Sequence, residues 1–121
     1  MMRILAADDS ASMREMVRMS LCSAGFDVTS AADGDEALRL AAQTAFDLVL
    51  LDVNMPVRDG FEVIRALRAE PDYRHTPILM LTTENSADRK REGKSAGATG
   101  WIVKPFDPAQ LIATVHRVLL K

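Results

Sequence analysis

Short apolar runs alternate along this chain with stretches whose apolar residues recur every three to four positions. The strongest run is Leu48-Val49-Leu50-Leu51, which has no polar alternation and ends on Asp52. A run of this kind predicts a strand buried on both faces, as in the middle of a parallel sheet. Ile78-Leu79-Met80-Leu81, introduced by Pro77, has the same character and closes on Thr82-Thr83. Residues 3–7 predict a first strand that runs into Asp8-Asp9-Ser10. Residues 26–31 predict a weaker, half-polar strand suited to a sheet edge. Residues 101–103 predict a fifth strand that runs into Lys104-Pro105.

The stretches between these runs read as helices. Met13, Met16, Val17, Leu21 and Ala24 lie on one face of the first, and Gly25 closes it. Asp33-Gly34-Asp35-Glu36 opens the second with acids in its first turn, as the helix dipole favours, and Ala37, Leu38 and Ala41 form its apolar face. Gly60 leads the third, which carries Phe61, Ile64 and Leu67 and ends before Pro71. The last starts at Asp107-Pro108-Ala109-Gln110, with Asp as N-cap and Pro at the first helical position, and buries Leu111, Ile112, Val115, Val118 and Leu119. The fourth differs. Residues 85–97 contain no large aliphatic side chain, so this helix can bury only alanines. Gly93 in its interior is expected to cost about 1 kcal/mol relative to Ala, which predicts the least stable element of the fold.

Strands and helices in strict alternation predict a doubly wound α/β domain of five parallel strands and five helices, filling the 121 residues as one unit. A formal net charge of −2 gives no basic excess for nucleic acid, and no apolar run approaches the roughly 20 residues of a membrane span. The N-terminus does not resemble a signal peptide, and the single Cys22 excludes an internal disulfide, so a cytoplasmic location is expected. Cys22 is read as a small packing residue of the first helix. With no apolar surface stripe in the pattern, a monomer is expected.

In a parallel sheet the carboxyl ends of the first, third, fourth and fifth strands open on one edge, where ligand sites form. The sequence puts Asp8-Asp9, Asp52, Thr82 and Lys104 at those ends. Clustered carboxylates repel, and a divalent cation relieves that repulsion. An oxygen-only donor set suits Mg²⁺. A Lys ammonium and a Thr hydroxyl beside the cluster supply what the oxygens of a phosphoryl group need. Phosphoryl transfer is mostly positioning and charge neutralisation, so a metal, a Lys and a nucleophilic carboxylate suffice for it.

On Asp8-Asp9, Asp52-Val53-Asn54-Met55-Pro56, Asp59-Gly60, Leu81-Thr82-Thr83-Glu84 and residues 97–106, ending in Lys104-Pro105-Phe106, the chain resembles response-regulator receiver domains. Within them it is most similar to stand-alone chemotaxis regulators of the CheY type. The resemblance covers essentially the whole chain. It implies a flavodoxin-like sheet of order 2-1-3-4-5. It also implies that Asp52 accepts a phosphoryl group from a sensor histidine kinase. Asp9, Asp52 and the Asn54 backbone carbonyl would hold Mg²⁺, with Asp8 assisting through water. Lys104, followed by a cis bond to Pro105, would pair with the phosphoryl oxygens.

Thr82 and Trp101 would form the switch, with Trp101 where the family usually has Tyr or Phe. Asn54 and Glu84 would set the lifetime of the aspartyl phosphate. With no output domain after the last helix, signalling would run through the face of the fourth helix, fifth strand and last helix. A flagellar motor component is one such target. Arg89, Lys90, Arg91 and Lys94 would give that face a positive stripe for an acidic partner. A phosphate sink and a phosphorelay intermediate are the alternatives within the class. The rivals outside it are a flavin-binding module, against which the acidic first loop argues, and an aspartyl-nucleophile phosphatase, which would want an acid where Asn54 stands.

Overall fold

In the computed structural model, residues 2–83 and 87–119 are described. The strands are β1 (Arg3–Ala7), β2 (Asp27–Ala31), β3 (Leu48–Asp52), β4 (Ile78–Thr82) and β5 (Gly100–Val103). The helices are α1 (Ala11–Ser23), α2 (Gly34–Gln43), α3 (Gly60–Arg68), α4 (Ala87–Ala96) and α5 (Pro108–Leu119). All strands run parallel in the order β2-β1-β3-β4-β5. The half-polar β2 lies at an edge, as its composition predicts, and the two continuous apolar runs occupy the interior.

Successive side chains of a strand point to opposite faces, so each interior strand feeds two cores. Leu5, Val49, Leu51, Ile78 and Met80 pack with Ala37 and Ala41 of α2, and with Phe61, Ile64 and Leu67 of α3. Ile4, Leu48, Leu50, Leu79 and Leu81 pack on the other face with Val17 and Leu21 of α1 and Leu111 and Val115 of α5. A fully buried Leu or Ile contributes about 1.5–3 kcal/mol, so these layers hold the strand ends where they are.

Local chemistry starts the helices. Asp33 accepts from the Glu36 N–H at 2.8 Å, Asp59 from the Glu62 N–H at 2.9 Å, and Asp107 from the Gln110 N–H at 2.7 Å. Each thereby satisfies a donor that the first turn leaves open.

Three features depart from expectation. Cys22 is exposed; the buried stripe of α1 takes Ser20 instead, whose hydroxyl donates to the Met16 carbonyl at 2.7 Å. A 3-10 turn at Pro71–Tyr73 follows α3 and buries Tyr73. Finally, Gly93 is buried rather than a tolerated weakness of α4. A Cβ built there would lie 2.8 Å from Cζ3 of Trp101, so the glycine lets the indole rest on the helix backbone.

Two side chains hold the amino edge of the sheet together. The Tyr73 hydroxyl lies 2.8 Å from the Ala41 and Thr44 carbonyls, and the Phe46 N–H donates to it at 3.3 Å. Arg68 donates to the carbonyls of Tyr73 (2.6 Å), Arg74 (3.2 Å), Thr76 (2.7 Å) and Gly97 (3.0 and 2.8 Å). Its guanidinium therefore ties the end of α3 to the turn that follows α4. Burial lowers its pKa from the ordinary value.

Candidate functional site

β1 and β3 are neighbours, and the register Ala7↔Leu51 brings Asp8 beside Asp52. β4 places Thr82 next to them, opposite Val103 of β5, so that Lys104 follows immediately. The Lys104 N–H donates to the Thr82 carbonyl at 2.7 Å, and the Lys104–Pro105 bond is cis. The result is one cleft at the carboxyl edge of the sheet.

Asp8, Asp52 and Thr82 are buried there, 3%, 5% and 2% exposed. Asp9 lies on the solvent side. One oxygen from each of Asp8, Asp9 and Asp52 falls within 4.8 Å of the others. The ammonium of Lys104 lies 2.9 Å from Asp8 Oδ2 and 3.3 Å from Asp52 Oδ1. One cation thus faces three carboxylates, and the excess negative charge fits a hard divalent cation with oxygen ligands.

Burial pushes the Asp52 carboxyl up from 3.8 to about 6; the Asp8 charge adds to the rise, and Lys104 and the Asn54 N–H oppose it. For Lys104, burial acts downward but is outweighed by the bond to Asp8 and the attraction of Asp8 and Asp52, so its pKa is raised. An acceptor carboxylate held beside a retained ammonium is a suitable nucleophile for an anionic phosphoryl donor, because Lys104 remains charged as it approaches.

Asp52 also accepts from the Asn54 N–H at 3.4 Å, and Asn54 is itself exposed on the loop. That loop is held close by α3: the Gly60 N–H donates to the Val53 carbonyl at 2.9 Å. A Cβ at Gly60 would sit 2.6 Å from the Asp52 carbonyl oxygen, so only glycine lets the helix start here. Trp101 is half-buried in β5, between α4 and the outer surface, with the Lys90 ammonium 5.8 Å from its ring centroid. Glu84 lies outside the described residues.

One neighbour of the cleft escaped sequence reasoning. Arg14, in α1, donates to the Asp8 carbonyl at 2.7 Å. The signal that could have found it is its position: a cation near a helix N-terminus runs against the dipole and needs a local reason. Among the described residues, no helix is long and apolar enough to cross a membrane.

Comparison with known proteins follows the same lines. The chain is similar to the transcriptional regulatory protein PrrA of Mycobacterium leprae, 41% identical over 117 residues, or 97% of this chain and 49% of that protein. It is also similar to the response regulator MprA of the same organism, 43% identical over 118 residues, 98% of this chain and 51% of MprA. The chain thus spans about half the length of the curated relatives it matches.

Among solved structures, the Vibrio cholerae chemotaxis protein CheY4 superposes with a TM-score of 0.95 at 54% identity, covering 98% of both chains. The receiver domain of the Pseudomonas aeruginosa sensor histidine kinase PA1611 superposes at 0.92 with 31% identity, over 99% of this chain and 98% of that one. It carries a magnesium ion coordinated in its active-site cleft. Residues 4–116 match the family described as the response regulator receiver domain. The fold, the strand-end cleft and these matches agree that the chain belongs to the response regulator receiver domains, the phosphoacceptor switches of two-component systems.

Proposed function

We propose that Asp52 is the phosphoacceptor and that Lys104 and Thr82 receive the phosphoryl oxygens. The observation that carries this is the Lys104 ammonium, 2.9 Å from Asp8 and 3.3 Å from Asp52, at the mouth of three strand ends. As a phosphohistidine donor approaches, the P–N bond breaks while an O–P bond forms at Asp52, and the imidazole leaves with the bonding pair. Lys104, released from the Asp52 carboxylate, turns its protons to the transferred oxygens. Mg²⁺, for which Asp8, Asp9, Asp52 and the Asn54 carbonyl are the proposed ligands, supplies further positive charge when bound. Asn54 and Glu84, two residues after Asp52 and two after Thr82 in the sequence, would by resemblance tune hydrolysis of the acyl phosphate.

The output of this switch is a protein contact in the cytoplasm, made by the monomer with α4, β5 and α5. Lys90 and Lys94 lie along α4 beside Trp101, and Arg89 of the same helix lies over the Phe61 ring, a charge pattern that suits an acidic partner. Chemotaxis is the favoured pathway because CheY4, a chemotaxis protein, is 54% identical and superposes with a TM-score of 0.95. The names of the curated relatives favour a second reading, a receiver module of transcriptional control.

Intact mass after treatment with a small phosphodonor and Mg²⁺ tests the proposal. The wild type gains one phosphoryl group and Asp52→Asn gains none; a modified Asp52→Asn, or an unmodified wild type, overturns it. Loss of the gene separates the two readings: altered swimming with an unchanged transcript profile supports the first, and the reverse supports the second.

A further inference from the structure

We infer that Arg14 is a positioning residue for the metal cluster, acting through the backbone of Asp8. Its guanidinium donates to the Asp8 carbonyl at 2.7 Å from half-buried surroundings. With that bond, every polar group of Asp8 is engaged. The Asp8 N–H donates to the Ala31 carbonyl of β2 at 3.1 Å, Oδ1 accepts from the Ser10 N–H at 2.9 Å, and Oδ2 accepts from Lys104 at 2.9 Å. The Ser10 bond is local, the Ala31 bond comes from β2, and the Lys104 bond crosses 96 positions of sequence. Arg14 supplies the one that locks the peptide between Asp8 and Asp9, and so sets the direction in which both carboxylates leave the chain.

Electrostatics explains why the cation stays there. The first turn of α1 contains no acid, and Arg14 lies close to the positive end of the helix dipole, an unfavourable place for a cation. Three carboxylates with one ammonium among them compensate that cost. The carboxylates thus hold the guanidinium at the Asp8 carbonyl, and since its own charge opposes a bound cation, its contribution to Mg²⁺ binding is the orientation of the Asp8–Asp9 peptide.

This inference rests on the reading of Asp8, Asp9 and Asp52 as a Mg²⁺ site. Its test is Mg²⁺ titration, by calorimetry and Trp101 fluorescence, of wild type, Arg14→Ala and Arg14→Lys. Thermal unfolding of each in EDTA runs beside it. Outer-shell partners of ligands typically account for 10–100-fold in metal affinity. Arg14→Ala should weaken Mg²⁺ binding about tenfold, and Arg14→Lys should recover most of the loss, since a single donor to one carbonyl is all that is required.

A Mg²⁺ affinity unchanged in Arg14→Ala, whatever its thermal stability, overturns the inference while leaving the metal site standing. A wild type that binds no Mg²⁺ overturns both. Should Arg14→Ala fail to fold, Arg14→Met, which keeps the length of the stem and carries no donor, replaces it: about tenfold weaker binding supports the inference, and wild-type affinity overturns it.

Discussion

Gly93 of α4 and Trp101 of β5 meet as backbone and ring: a Cβ added to the glycine would lie 2.8 Å from the indole Cζ3 and 3.6 Å from Phe61 Cε1. Gly93→Ala therefore sets two effects against each other. Alanine favours a helix interior by about 1 kcal/mol, while overpacking against a fixed ring costs about 1–3 kcal/mol. The second should win, giving a net loss of up to about 2 kcal/mol and a change in Trp101 emission as the ring is displaced. Denaturant unfolding with fluorescence detection checks both; a stabilised variant with unchanged emission would show that the ring yields freely.

Asp52 makes stability depend on pH. Its folded-state pKa of about 6 exceeds its ordinary 3.8, so the native state holds the proton more tightly than the unfolded chain. The favourable contribution is complete below about pH 4 and is lost as pH rises through 6, by about 3 kcal/mol in all. In EDTA, Asp52→Asn should flatten this part of the profile, with its largest gain over wild type above pH 6. Equal pH profiles for the two proteins between 4 and 7 would contradict the raised value.

Val57 is a β-branched residue at φ 71°, and it is 71% exposed, so the strain is not offset by packing. A left-handed backbone costs an L-residue about 1–2 kcal/mol, and asparagine tolerates it better. Val57→Asn should raise stability by about 1 kcal/mol in urea unfolding. A loss of stability would mean the valine packs where the structure shows it in solvent.

Arg68 holds four carbonyls, with the Gly97 carbonyl beyond α4 among them. Arg68→Met should cost about 2–4 kcal/mol, because four carbonyls, most of them part-buried, lose the charged donor they share. Arg68→Lys should recover less than half of it, since an ammonium lacks the planar fork that reaches both sides. Amide exchange should report the loss most strongly in α4 and the turn at Gly97. Uniform acceleration across all helices would show that Arg68 acts on global stability alone.

Tyr73 bridges three backbone groups through one hydroxyl, and Tyr73→Phe leaves the Phe46 N–H without that acceptor in the interior. A cost of about 1–3 kcal/mol is expected in thermal or urea unfolding, with the core otherwise intact. A variant as stable as wild type would mean that water replaces the hydroxyl.

How much of this was legible in the chain depends on the range of each interaction. Leu48-Val49-Leu50-Leu51 and Ile78-Leu79-Met80-Leu81 read as interior strands because burial on both faces requires an unbroken apolar run. Asp33, Asp59 and Asp107 read as helix starts because a cap acts within three residues. Strand ends follow from strands, so Asp8, Asp9, Asp52, Thr82 and Lys104 could be gathered from sequence alone. What only the tertiary structure decided is contact across the chain. Lys104 meets Asp8 across 96 positions, and no spacing rule gives the distance. Arg68, Tyr73 and Arg14 bind carbonyls, and since every residue carries one, such partners leave no trace in the side-chain pattern. Gly93 looked like a weakness of α4 until the indole it accommodates came into view, because a missing side chain is explained only by what fills its place.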